Sequence, residues 1–428
     1  MGNRREFLKK SAAVLGACGV GAWAPKCGRS EEPVGREEPV GQFVGQTLPD
    51  WQEGEMFLHF IYSGVGENMF YVFPDGTTML LDTGETTHED YFPILPTPAR
   101  MGSEWVARYV AAVKPKDSGK LIDYMMFSHY HNDHGGDEKH ARAIAEGRGD
   151  YALSGLANMG EFFDFGAFYD RGNPNQPKFD LSESYNNYTK FVEWKIAHGG
   201  STRPEFAVGA LDQIQLTKKR EGYPDFHIRN LAANLVVWSG KEGENDDLRL
   251  LIPEASVNEN TLSLAILISY GPFKYFTGGD ISDCYNDPQG GFANVEGRVG
   301  AAAGEVDVCK TNHHTYQDAM RKEFTDAVRA RFYITNVWDY YHVCDNTMVN
   351  MTEGRAIDET TVCPTWVAPK RLAELADCPW HDYLQPAYGH VVVRVIDGGE
   401  RYFVYHVDAT DERRRIKRVF GPFESKGK

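Results

Sequence analysis

No stretch of the 428-residue chain is apolar for long enough to cross a bilayer, so no segment is predicted to span a membrane as a helix. Cysteine is sparse and wrongly spaced for a metal ribbon. Of seven cysteines, Cys18 and Cys27 lie near the N-terminus, and Cys284, Cys309, Cys344, Cys363 and Cys378 form no Cys-x-x-Cys pair. That pattern excludes a zinc ribbon and a dithiol redox motif. In an oxidising compartment it leaves room for one or two disulfides, with an odd thiol left free. Positive charge is in deficit: a formal net charge of −16 argues against a broad polyanion-binding face, and no extended nucleic-acid surface is expected. Disorder is excluded by a hydrophobic content of 42% and an aromatic content of 13%, and the length allows a large core with appendages.

What the chain does have is a histidine cluster at the end of a strand. The apolar run 124–127 reads as a buried strand, and it stops abruptly at Ser128-His129-Tyr130-His131-Asn132-Asp133-His134-Gly135-Gly136. Imidazole and carboxylate suit zinc, manganese or iron. A loop at a strand end can fold His129 and His131 towards one ion, while Asp133 and His134 face a second ion or its water. A solvated histidine-rich loop would not need this spacing behind a hydrophobic strand.

This motif resembles the metal-binding signature of the metallo-β-lactamase fold superfamily. The resemblance implies a four-layer αβ/βα sandwich with the site at one edge. Upstream, strands are predicted at 57–62, 69–73 and 78–81, with the turn Gly64-Val65-Gly66-Glu67 between the first two and Asp82-Thr83-Gly84 closing the third. These features are similar to the hydrolase domain of bacterial late-competence DNA-uptake proteins and their free-standing relatives. Those relatives usually carry aspartate where Glu67 stands. Asp82, ending a neighbouring strand, is expected to brace the metal loop by hydrogen bonds.

Further along, an apolar hairpin over 262–276 ends in Thr277-Gly278-Gly279-Asp280, and by the resemblance Asp280 bridges two metals. The segment Val306-Asp307-x-x-Lys310-x-x-His313-His314 resembles the relatives' final strand and paired histidines. Those continue Gly-Ser, where this chain has Thr315-Tyr316. Neighbouring side chains at a strand end point to opposite sides, so one of His313 and His314 is expected to bind metal and the other to contact substrate or a ligand. Lys310 and His342 are lesser candidates for substrate contact or support, with His342 at the rim of the site. A further histidine usual in the superfamily is not located: only His140, His198 and His227 precede Asp280, none in a matching context.

Around this body, residues 1–24 resemble a twin-arginine export signal (Arg4-Arg5-Glu6-Phe7-Leu8-Lys9). Leu15-Gly16-Ala17-Cys18 matches a lipoprotein cleavage box in which Cys18 is acylated, with ordinary cleavage near Ala22 or Ala24 as the alternative. Export to the periplasm or cell envelope follows, with membrane contact only through that lipid. Residues 25–50, rich in Pro, Gly and Glu, read as a flexible tether. The hydrolase domain is placed at 51–345, with helices at 104–113 and starting at 140–146. Residues 150–205 read as an insertion, either a substrate wall or a surface excursion. Residues 346–428 read as a C-terminal extension packed on the domain, ending in a hairpin about Asp397-Gly398-Gly399 and a basic strand edge at 413–418.

The expected activity is hydrolysis of a small or short phosphoester with one or two zinc ions, or manganese or iron, and with Asp133 orienting the nucleophile. A carboxyl-ester or amide hydrolase of lactamase type, and a non-catalytic envelope binding protein that keeps the fold, are the rival readings.

Overall fold

The computed structural model describes residues 43–172, 183–252, 257–282 and 294–427. The export signal, Cys18, Cys27, Cys284 and tether residues 25–42 lie outside the described residues. Alternation of apolar side chains produces the first sheet. In β1 (Met56–Phe60), β2 (Asn68–Val72) and β3 (Thr78–Thr83), Met56, Leu58, Met69, Tyr71, Met79 and Leu81 face one core, while Phe57, Phe70, Val72 and Leu80 face another. Strands β4 (Leu121–Met126) and β5 (Asp164–Tyr169) extend it in parallel.

The second sheet is built from β6 (Phe226–Ala233), β7 (Val236–Trp238), β8 (Asn245–Asp247), β9 (Ala265–Tyr270), β10 (Phe273–Thr277), β11 (Val308–Lys310), β12 (Phe332–Thr335) and β13 (Thr361–Pro364). The chain then returns to the first sheet as β14 (Gly389–Ile396), β15 (Arg401–Asp408) and β16 (Ile416–Glu424). Among the described residues the two sheets, each of eight strands, run in the orders β16-β15-β14-β1-β2-β3-β4-β5 and β13-β12-β11-β10-β9-β6-β7-β8.

A core of residues from both sheets lies between them, including Leu58, Tyr71, Ile266, Tyr275, Val308 and Val393. Each such side chain contributes on the order of 1.5–3 kcal/mol by leaving water. The outer face of the first sheet is covered by α1 (Gly102–Val113), the single turn α2 (Asn132–Gly135), α3 (Gly155–Met159) and α4 (Glu183–Gly199). The second sheet is covered by α5 (Val295–Ala303), α6 (Lys322–Val328), α7 (Asp345–Thr352) and α8 (Pro369–Glu374). The chain is thus an α/β sandwich of two mixed sheets with helices outside. Among the described residues no helix is long and apolar enough to cross a membrane.

Several expectations are corrected. Residues 346–428 are not an appendage: β13 extends the second sheet, and β14 pairs with β1 along its length, Met56 opposite Val395, so the hairpin is interior to the first sheet. The stretch 150–205 is not a plain insertion, because β5 completes the parallel part of the first sheet and α4 covers it; residues 173–182 lie outside the described residues. The helix expected at 140–146 is absent. Ala145 N–H donates to the Tyr151 carbonyl at 2.8 Å, and Ile144 bridges Ala152, because the run is cut short by Gly147 and Gly149. The tether ends earlier than residue 50: Phe43 packs on Phe403 and Tyr405, and Leu48 N–H donates to the Arg414 carbonyl. Cys309, Cys344, Cys363 and Cys378 are all free thiols, so no disulfide forms among the described residues.

Candidate metal centre

Carboxyl ends of parallel strands gather loops on one side of a sheet. Here β3, β4, β10, β11 and β12 deliver Asp82, His129 to His134, Asp280, His313 with His314, and Asn336 to one edge of the sandwich. Close backbone contact locks the loops together. Glu67 N–H donates to the Asp133 carbonyl (2.8 Å), and Gly84 N–H donates to that of Glu67 (2.9 Å). A β-carbon on Gly84 would lie 1.8 Å from the Asp133 carbonyl oxygen. Gly84→Ala is therefore expected to cost about 1–3 kcal/mol of stability and to weaken zinc binding about tenfold or more. Thermal unfolding with and without zinc measures both; an unchanged midpoint and affinity would contradict this packing.

Asp82 holds the loop from beneath. Its Oδ1 accepts Ser128 N–H (2.7 Å), and its Oδ2 accepts the Ser128 hydroxyl (2.6 Å) and His134 Nδ1–H (2.8 Å). His314 Nδ1 donates to the Asn336 carbonyl at 2.9 Å. Both histidines thereby turn Nε2 lone pairs towards the centre. There His134 Nε2 lies 3.0 Å from Asp280 Oδ2, 3.2 Å from His314 Nε2 and 3.5 Å from Asp133 Oδ2. His314 Nε2 lies 3.2 Å from Asp133 Oδ2 and 3.3 Å from Asp280 Oδ2. A tetrahedral zinc with bonds of about 2.0–2.1 Å has ligand–ligand edges of about 3.3 Å. The five distances above, 3.0 to 3.5 Å, are close to that edge.

Glu67, His134, Asp280 and His314 also offer ligand atoms within 4.8 Å of one another, close enough to hold a metal ion. Glu67, however, approaches from behind. It lies 3.3 Å from His314 Nδ1 and 4.0 Å from His134 Nδ1, and Lys310 Nζ engages its Oε2 at 2.9 Å. Asp133 stands on the Nε2 side, where it can take the fourth position or hold a water there. Its side chain is 11% exposed, against 2% or less for His134, Asp280 and His314, so it is the member of the set that meets solvent.

Lys310 is fully buried, donating to the Gly279 carbonyl (2.7 Å) and lying 3.5 Å from Asp280 Oδ1, so it braces the centre from inside and does not reach a substrate. Gly279 takes a left-handed φ of 54° beneath the Ser128 side chain, which turns Asp280 inward. His342, expected at the rim, is buried and stacked on His314 with ring centroids 4.7 Å apart.

The paired histidines are not a strand end. His313, His314 and Thr315 have φ of 40°, 49° and 61°, a left-handed run costing roughly 1–2 kcal/mol per residue. Thr315 Oγ1 offsets part of this by accepting Val343 N–H at 2.9 Å. Nε2 lies 4.0 Å from Asp280 Oδ2 for His313 and 3.3 Å for His314, and of the two only His314 falls in the group close enough to hold an ion. On the other flank, His129 Nε2 lies 3.0 Å from His131 Nδ1 and 3.9 Å from Asp280 Oδ2. His140, His198 and His227 are engaged by Asp137, the Trp194 carbonyl and Asp212. No motif marks Asp318, Asn336 or Trp338, whose indole N–H approaches His314 Nε2 at 3.4 Å.

Electrostatics describe a hole for positive charge. Burial disfavours charged imidazole at His134 and His314, yet the carboxylates around them, Asp280 foremost, raise both well above the ordinary histidine range. Burial alone would raise the Asp280 carboxyl; the charged His134 and His314 hold it well below the ordinary range. His129 is lowered by burial and then by His134 and His131. Without a cation, protons on His134 and His314 supply the missing charge; a cation must displace them.

The sign of the pH dependence follows. A folded-state pKa raised above about 6.5 stabilises fully below that pH, and the contribution is lost as pH rises through the raised value. Cation-free protein should thus lose stability from near-neutral pH upward, while cation binding strengthens. The melting-temperature gap between zinc-loaded and chelated protein is expected to widen from about pH 6 to about pH 9. A gap that stays constant or narrows would contradict the protonated pair.

No family model matches the chain, and no curated protein matches it.

Proposed function

We propose that the chain is an exported metal-dependent hydrolase of the metallo-β-lactamase fold that cleaves small or short phosphoesters. Zinc is the favoured ion, with manganese or iron as alternatives, and the periplasm or cell envelope is the site of action. The observation that supports it is the spacing of Asp133, His134, Asp280 and His314, with one carboxylate of the set open to solvent. The residue pattern adds the His-x-His-x-Asp-His loop and the strand-terminal Asp280.

A divalent cation held by His134, Asp280 and His314, with a water and not Asp133 in the fourth position, would lower the pKa of that water and polarise an ester oxygen. The chain's own residues do the rest. Asp133, at the solvent side, accepts a proton of the attacking water at its carboxylate and aims it. His134 and Asp280, each almost fully buried, keep bulk water from that side of the centre. Trp338 and Tyr316 pack about His314 and His313 and form an aromatic flank against which a leaving group can lie.

Turnover of bis(p-nitrophenyl) phosphate by zinc- or manganese-loaded protein, abolished by chelator and restored by metal, is the expected result. Turnover of nitrocefin in its place would move the activity to carboxyl-type bonds. Bound cation with neither activity would leave a binding protein.

A further inference from the structure

We infer that the indole N–H of Trp338 is a donor to the substrate, hydrogen-bonding a non-bridging oxygen of the phosphoester as negative charge gathers there. This rests on the phosphoester reading above and names a group of the chain that discriminates the transition state from the bound ester.

Three observations carry it. First, the indole meets the centre edge-on. Its plane stands at 82° to the His314 imidazole with ring centroids 5.8 Å apart, and its Nε1 lies 3.4 Å from His314 Nε2. Second, that nitrogen is the atom a cation takes. His314 Nδ1 is engaged by the Asn336 carbonyl at 2.9 Å, which leaves Nε2 as the ligand atom. An indole N–H can only donate, and a nitrogen whose lone pair is on an ion cannot accept from it. Among the described residues Trp338 Nε1 has no other acceptor. A donor left unmatched in a half-buried place is costly, and a substrate oxygen drawn to the centre is the acceptor that fits.

Third, the indole is held in place and still reachable. Trp338 is half-buried and stands three residues beyond the end of β12. Val337 before it donates its N–H to Thr365 Oγ1 at 3.0 Å. His342, stacked on His314, meets the indole at 88° with centroids 5.1 Å apart, so the two histidines flank it. Asp339 Oδ1 accepts Tyr341 N–H at 2.7 Å and closes the turn that brings His342 back against the ring. The N–H is thus positioned before substrate arrives, and no reorganisation is needed when charge develops.

Two nearby cations cannot do this work. Lys310 is buried behind the centre on Glu67 and the Gly279 carbonyl, and Arg171 is buried and bidentate on Glu259 at 2.7 and 2.9 Å. A neutral donor also suits the surroundings. The Asp133 and Asp280 carboxylates lie 3.2 and 3.3 Å from His314 Nε2, and a charged side chain in the place of the indole would be drawn into an ion pair with them.

The test removes the N–H and keeps the ring. In the zinc-loaded full chain, 3-benzothienylalanine in place of Trp338, introduced by amber suppression, puts sulfur where the N–H stands. Zinc content should be unchanged, while affinity for orthovanadate falls about tenfold to a hundredfold. The kcat for bis(p-nitrophenyl) phosphate should fall by about the same factor with KM little changed. Trp338→Phe should behave alike, and Tyr341→Phe, at an exposed ring of the same turn, should match wild type. Wild-type vanadate affinity and kcat in the benzothienyl protein would overturn the inference and leave the hydrolase reading standing. Loss of zinc would also overturn it, because the indole would then act through His314. Vanadate binding by wild type that the benzothienyl protein loses, with no diester cleaved by either, would sink the hydrolase reading and keep the donor. Wild type that neither binds orthovanadate nor cleaves the diester would defeat both.

Discussion

Asp280→Asn will empty the centre and leave the sandwich folded. The substitution keeps shape but removes the charge that lies within 3.3 Å of the His134 and His314 Nε2 atoms. The metal held by zinc-loaded protein should fall sharply and, if the proposed hydrolase reading holds, phosphodiester turnover should fall by about a hundredfold or more. The fold should persist, because Lys310 keeps Glu67 as its closer partner at 2.9 Å and no apolar contact is lost. Asp246→Asn, a partly exposed carboxylate on β8, is the control and should change neither quantity. Metal content and rate measured on both variants decide it. Equal behaviour would mean that the Gly278-Gly279-Asp280 segment is an ordinary turn and that the centre is wrongly placed.

Lys310→Met is expected to have the largest effect on folding. The ammonium is wholly buried and is the cation that offsets Glu67 and Asp280 from within. Removing one partner of a buried pair typically costs about 3–5 kcal/mol, because the remaining charge is stranded. Urea unfolding of chelated protein should show that loss. The companion change Glu67→Met in the Lys310→Met background should recover most of it, since two apolar side chains replace a pair. Full loss in both the single and the double variant would show that Lys310 acts through packing and not through its charge. Zinc should partly rescue the single variant, because an ion restores positive charge beside Asp280.

Local pattern made much of this molecule legible. The strands β1 to β4 follow from alternation and turn residues, and the histidine loop and Asp280 stand where a strand stops. Non-local pairing was harder to read. The hairpin of β14 and β15 reads as an appendage because its partner β1 lies more than 300 residues earlier, and nothing in either strand specifies the other. Strand β5 was hidden in a Tyr- and Asn-rich stretch that lacks clear alternation. The backbone conformation at His313 and His314 is unreadable for another reason. Extrapolating β11 forward predicts opposite faces, whereas β11 ends at Lys310 and three non-glycine residues then adopt a conformation that their intrinsic preferences oppose. Glu67 was visible as a carboxylate in a glycine turn. Its place behind the imidazoles depends on Lys310, which comes from the other sheet.

The ligands come from both halves of the chain: His134 is 146 residues from Asp280 and 180 from His314. A cation there is a keystone set between two arches. It finds its full set of ligands only after the sheets have docked, so it should be the last piece to arrive in folding and the first to matter when the molecule breathes. Withdrawing it should therefore quicken amide hydrogen exchange in the loops after β4 and β10, along the seam. The interior strands β1, β2 and β14, which close without it, should keep their protection.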